Sequence, residues 1–224
     1  MTNGRIKSKP LPFAGLGDTP LVLASTSQAR QAMFRRAGLV YEAVASGVDE
    51  EALLLAAKDE SLTPADTATL LAEAKARAVA SRRPEAVVVA SDQLLVLDQM
   101  IYTKPKTMAA AEETLAAISG KTHQLVTAGI MVQSTARLWH FVATTHISVR
   151  PLSADFIKQY CDYLGESVCA TPGIYMLEGL GMHIITAIDG CPYAALGFPM
   201  LECLAHLRTL GLAPLANPAI KDKA

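Results

Sequence analysis

Val87-Val88-Val89-Ala90-Ser91-Asp92-Gln93, running on through Leu94 to Leu97 and closed by Thr103-Lys104-Pro105-Lys106, decides how the chain is read. Three valines and Ala90 make an apolar, β-branched run of the length expected for a short strand buried on both faces of an open α/β sheet. Ser91, Asp92 and Gln93 then fall where that strand ends. A carboxylate just past the carboxyl end of a buried strand stands where such sheets bind their ligands. Pro105 stiffens the backbone directly after Lys104. An acidic group near fixed positive ones suits phosphate chemistry with a metal. The plainer alternative makes Asp92 the start of a turn and Lys104 and Lys106 solvated loop charges, since Asp is common at turns.

Working toward the N-terminus, Pro64–Arg83 reads as an Ala-rich helix with Leu70, Leu71, Ala74, Ala78 and Val79 on one face. Lys75 lies one step from that stripe, where a lysine usually snorkels to water. Tyr41–Val48 reads as a second strand ending at Asp49-Glu50-Glu51. These three carboxylates form a solvated loop or the acidic first turn of a helix, or one of them turns inward toward a divalent cation. Before them, Leu21-Val22-Leu23-Ala24 is a strand, Ser25-Thr26-Ser27 a hydroxyl-rich turn, and Gln28 to Gly38 a helix with Ser27 as N-cap and Gly38 as its left-handed stop. Such a strand-to-helix turn aims backbone N–H groups and a partial positive charge at whatever lies in front, which makes it an anion seat within reach of Arg30. No glycine-rich phosphate loop of either standard kind is present.

Toward the C-terminus, Thr107–Ile118 is a helix, Val126–Gln133 and Leu138–Arg150 a hairpin, and Ser153–Leu164 a helix with a Ser cap. Met176-Leu177-Glu178-Gly179-Leu180-Gly181 is a loop whose glycines allow close backbone approach to a ligand. Met182–Ile188 is a strand, and Ala194 to Pro199 enters a last helix ending near Gly211. The whole is an α/β chain: a loose arm over 1–20, a folded unit over 21–212 and a frayed tail over 213–224.

Composition narrows the partners. With 51% hydrophobic and 18% charged residues among 224, the body of the chain folds. A net charge of −1 gives no electrostatic case for duplex nucleic acid or an anionic membrane, so a phosphate-bearing partner is a small molecule. No window offers the eighteen or so apolar residues that a membrane span needs. Cys161, Cys169, Cys191 and Cys203 are widely spaced without a C-x-x-C pair, as expected of free thiols in a reducing, cytoplasmic setting.

Five segments, in this order, resemble the Maf family of nucleotide pyrophosphatases: Leu23 to Ser27 with Arg30; Val48-Asp49-Glu50; Leu71 to Ala76; Ser91-Asp92-Gln93 followed by Lys104-Pro105; and Glu178 to Gly181 with Gly197-Phe198-Pro199. The resemblance implies an elongated α/β fold shared with inosine-triphosphate pyrophosphatases: a mixed sheet flanked by helices, two lobes with a central cleft, and a homodimer. It also implies hydrolysis of a nucleoside triphosphate to monophosphate and pyrophosphate with Mg²⁺ or Mn²⁺. Carried over by position, Asp92 is the proton acceptor, Ser25, Arg30, Lys75 and Lys104 hold the phosphates, and Glu50 with Asp92 contacts the metal. Ala29, Gln93 and Glu178 fall on the substrate-sorting positions. The Gln and Glu pair resembles the subgroup acting on 7-methyl-GTP more than the dTTP/UTP subgroup, which has Thr and Gln there. Two departures stand out: Gln28-Ala29 replaces the usual proline and aromatic or arginine, and Ala170-Thr171-Pro172-Gly173 replaces an element that often carries a lysine. Two rival expectations are a non-catalytic nucleotide-binding regulator of cell division and a house-cleaning pyrophosphatase for deaminated purine triphosphates.

Overall fold

The computed structural model describes residues 19–170 and 173–213. Most of the expected arm and tail, and Thr171-Pro172, lie outside the described residues. The elements in chain order are β1 (Leu21–Leu23), α1 (Gln28–Arg36), β2 (Glu42–Ala43), α2 (Glu50–Asp59), α3 (Pro64–Ala80), β3 (Val87–Leu97), β4 (Met100–Tyr102), α4 (Met108–Ile118), β5 (Thr122–Gln133), β6 (Ala136–Val149), α5 (Ala154–Leu164), β7 (Ile185–Asp189), α6 (Pro192–Ala195) and α7 (Met200–Thr209). Two 3-10 turns, Gly165–Ala170 and Leu180–His183, link α5 to β7. The seven strands form one mixed sheet in the order β2-β1-β3-β5-β6-β7, with β4 added to β3.

β3 is the axis. It is eleven residues long, so Asp92 sits in mid-strand and not at the strand's tip as its Ser-Asp-Gln surroundings predict. On one side it pairs continuously with β5, from Val87↔Gln133 to Val96↔Gln124. Its other edge is shared by two short strands: β1, parallel, at Val87 to Val89, and β4, antiparallel, at Leu95 to Leu97. Between them the edge of β3 around Asp92 has no ladder partner among the described residues. This is a notch in the sheet. β1 runs into it from below and continues as Ser25, while β4 runs into it from above and continues as Thr103-Lys104.

Alternation along β3 divides the core. Val88, Ala90, Leu94 and Val96 face α3, whose Ala68, Leu71, Ala72, Ala76 and Val79 pack on them. Val87 and Val89 face the other way, into a cluster with Phe34 of α1 and Cys203 and Leu207 of α7. Leu95 and Leu97 face that same second side but join a different cluster, with Leu115 of α4 and Ile157 and Cys161 of α5. Ser91 and Gln93 lie between those two clusters, and Asp92 faces α3.

Several expectations are corrected here. The second strand shrinks to Glu42–Ala43, because Val44 to Gly47 leave the sheet before α2 begins. The buried stripe of α3 includes Leu71 and Val79 as predicted, but Leu70, Ala74 and Ala78 are only half-buried. Lys75 lies inside that stripe with a side chain 8% exposed, so it does not snorkel. Pro199 and the positive φ of Gly197 (+101°) break the last helix into α6 and α7. The strand after the glycine loop starts at Ile185, because Leu180–His183 coils into a 3-10 turn first. Ala213, the first residue of the expected tail, is buried against the α1/α7 cluster.

Candidate functional site

The notch collects charge from four parts of the chain. Asp92 is buried at 6% exposure, and its Oδ1 accepts a hydrogen bond of 2.5 Å from Lys75 Nζ. The same ammonium lies 2.9 Å from Glu50 Oε2, so one lysine holds two carboxylates together. The other oxygen of Asp92 makes no hydrogen bond among the described residues and is not sealed from solvent.

Each of the three neighbouring carboxylates has its own task. Asp49 caps α2 by accepting from Ala52 N at 3.0 Å, which turns Glu50, the first helical residue, inward to Lys75. Glu51 pairs in solvent with Lys106 at 2.8 Å, tying α2 to the segment that carries Lys104.

The turn after β1 is built as the sequence predicts. Ser27 caps α1 by accepting from Arg30 N at 3.5 Å, and Ser25 Oγ accepts from Ser27 N at 3.2 Å. Arg30 then crosses to Gly197 and donates from Nε to its carbonyl oxygen at 2.7 Å. Burial pulls the Arg30 guanidinium down from its usual range, and the negative charges of Asp92 and Glu50 pull it back up, which places all three in one electrostatic neighbourhood. Lys104 belongs to it too. Burial lowers its pKa first, then the charge of Arg30, while Glu50 and Asp92 oppose the shift. Asp92, Glu50, Lys75, Arg30 and Lys104 therefore converge, with Ser25 on the notch's lower lip.

The positions expected to sort substrates are placed differently from one another. Ala29 is exposed at the start of α1. Glu178 forms an exposed ion pair of 2.5 Å with Arg36 at the end of α1. Gln93 points to the face opposite Asp92, where its amide nitrogen donates to Thr127 Oγ1 at 3.0 Å and to the carbonyls of Ala194 and Ala195 at 2.8 and 3.1 Å. Ser91, one register step away, donates to Gly197 O at 2.9 Å and so braces the carbonyl that Arg30 holds. Sequence reasoning missed Ser91, Thr127 and Gly197 as anchors. Period-two alternation through Asp92 could have put Ser91 and Gln93 together on the other face, but nothing local points to Thr127.

The donor set fits a divalent cation. Among the described residues no group of three or more His, Cys, Asp or Glu side chains forms a cage. Mg²⁺, however, is commonly held by one or two carboxylates while substrate phosphates and waters complete its shell, and Glu50 and Asp92 supply two.

A family described as Maf-like protein matches residues 20–210. The chain belongs to the Maf family. Among curated relatives, the 7-methyl-GTP pyrophosphatase of Rhizobium meliloti (strain 1021) is 41% identical over 191 residues, covering 85% of this chain and 96% of that protein. That of Brucella abortus biovar 1 (strain 9-941) is 39% identical, with 84% and 94% covered. The nucleoside triphosphate pyrophosphatase of Rhodospirillum rubrum is 36% identical, with 86% and 96% covered. The Maf match spans the notch, the serine-rich turn after β1, both carboxylate segments and the Gly197 loop. Among the described residues of this Maf protein, no helix is long and apolar enough to cross a membrane.

Proposed function

We propose that this Maf-family protein is a nucleoside triphosphate pyrophosphatase of the 7-methyl-GTP type, releasing the nucleoside monophosphate and pyrophosphate. The observation that carries the reading is the buried Asp92 held by Lys75 opposite Glu50, with Arg30 and Lys104 in the same field. Full retention of this charged set does not favour a non-catalytic regulator. The Gln93 and Glu178 pair and the names of the relatives above support the methylated purine over deaminated ones.

Asp92 works through its unbonded oxygen, which orients a water molecule and accepts its proton as the water oxygen bonds to the α-phosphorus. The bond to the bridging oxygen breaks, and pyrophosphate leaves with the electron pair. Arg30, Lys104 and Lys75 offset the charge that builds on the leaving group. A Mg²⁺ or Mn²⁺ ion held by Glu50 and Asp92 would neutralise phosphate charge and make the attacking water more acidic. Lys75 holds these two carboxylates at close quarters. A homodimer and a cytoplasmic location belong to the same proposal, on the family resemblance alone.

The test is pyrophosphate release from 7-methyl-GTP, GTP, UTP and dTTP with Mg²⁺ or Mn²⁺. Wild type should release it, most efficiently from 7-methyl-GTP, and a chelator should stop it. Asp92→Asn should lower kcat at least 10²-fold, as expected for the loss of a general base. No release from any nucleotide would overturn the enzyme reading.

A further inference from the structure

Arg30 is aimed by groups that lie outside the charged cluster of the notch. Its Nε–H goes to Gly197 O at 2.7 Å, and among the described residues its remaining N–H donors make no hydrogen bond. A guanidinium is a rigid planar fork, so fixing Nε constrains where those free donors point. Gly197 O is the fulcrum, and it is firmly held. Ser91, fully buried, donates its only hydroxyl hydrogen to the same oxygen at 2.9 Å, so Ser91 and Arg30 together use both of its lone pairs. The backbone N–H of Gly197 donates to Ala194 O at 2.8 Å. Its φ of +101° favours glycine, and a Cβ there would stand 3.5 Å from Arg30 Nε. The next residue, Phe198, meets Phe34 of α1 edge to face at 5.0 Å, one turn beyond Arg30. Helix and loop are thus docked to each other as well as to β3.

We propose that Ser91 is a positioning residue for the phosphate chemistry: through Gly197 O it holds the Arg30 guanidinium with its free edge toward the leaving pyrophosphate. The inference rests on the reading of the notch as a pyrophosphatase site. Adjacent residues of β3 then divide the work. Asp92, on the face toward α3, meets the water, while Ser91, on the opposite face, steadies the cation that meets the leaving group. Packing alone gives no reason for a hydroxyl at this position. The preceding residue, Ala90, is fully buried without one, and a buried hydroxyl is costly unless it is bonded. Charge on the pyrophosphate builds only as the bridging bond breaks. A loosened Arg30 therefore loses stabilisation in the transition state and leaves substrate binding nearly unchanged.

The test is a double-mutant cycle on Ser91 and Arg30. It reads kcat and KM for pyrophosphate release from whichever of the four nucleotides above wild type turns over fastest. Ser91→Ala should lower kcat and kcat/KM together by about tenfold, the size of one hydrogen bond, with KM nearly unchanged. Arg30→Lys keeps the charge but loses the fork, so in that background Ser91→Ala should cost less than about twofold. Should Ser91→Ala not fold, Ser91→Cys, similar in shape but a weak donor, takes its place in the cycle. Equal losses in the two backgrounds would mean that Ser91 supports the fold without acting through Arg30. A raised KM with kcat kept would place its effect on binding alone. Either result overturns the inference and leaves the pyrophosphatase reading intact, whereas no release by wild type from any nucleotide would remove both.

Discussion

Lys75 is an ammonium held inside an alanine-lined helix face, and its burial is tolerable because two carboxylates meet it there. Removing one member of such a buried set leaves an uncompensated charge, which costs about 3–5 kcal/mol, whereas replacing both by apolar groups is often close to neutral. Lys75→Met should therefore lower stability to urea by about 3 kcal/mol, since it leaves Asp92 and Glu50 to repel each other. Adding Asp92→Leu to it should recover most of that loss without recovering any pyrophosphate release. A double variant no more stable than the single one would mean that the cluster matters for packing and not for charge balance. The role of Lys75 was not legible from its neighbours alone. A lysine beside an apolar stripe reads as an edge residue, and only the carboxylate on a strand far away in sequence shows why it points inward.

At the scale of elements, α2 exists to aim Glu50. Its N-cap Asp49 orders the first turn, and loss of an N-cap costs about 1 kcal/mol. Asp49→Ala should fray that turn, so the Mg²⁺ concentration needed for half-maximal pyrophosphate release should rise severalfold while base preference stays the same. An unchanged metal requirement would detach Glu50 from the cation. Local signals carried much of the secondary structure, because caps and stops act over one turn. Ser27 and Ser153 cap α1 and α5 as read from sequence, Thr107 caps α4 within the span read as its helix, and Gly38 adopts the expected left-handed conformation at φ +71°. Long-range packing decided what was missed. Ser91-Asp92-Gln93 looks like a turn, yet β5 pairs with every one of these residues and extends the strand through them. The three-residue β4, too short for any periodic signal, closes the notch from above.

At the scale of the whole molecule, stability in acid is set by groups far from the notch. His123 on β5 is 1% exposed within the described fold and is hydrogen-bonded to Tyr175 Oη at 2.5 Å. Burial lowers its pKa from 6.5 to about 4, so the native state keeps it neutral while the unfolded chain takes up a proton below pH 6.5. More protons on the unfolded state mean that stability falls as pH falls. The loss runs through the window from about 6.5 to about 4, at up to ~1.4 kcal/mol per pH unit, and is absent above it. Glu73 adds a separate, more acidic loss. Burial pushes its carboxyl up, but hydrogen bonds from Arg77 and Arg137 outweigh this and leave it below its usual 4.5, so its stabilisation fades only as pH drops further. Urea titrations of wild type and His123→Asn from about pH 7.5 into more acid solution would separate the two, because the variant should lose the slope between pH 6.5 and about 4 while keeping the Glu73 loss in more acid solution. Parallel curves across that interval would mean that His123 is charged in the native fold, and the acid sensitivity would then have to come from carboxylates alone.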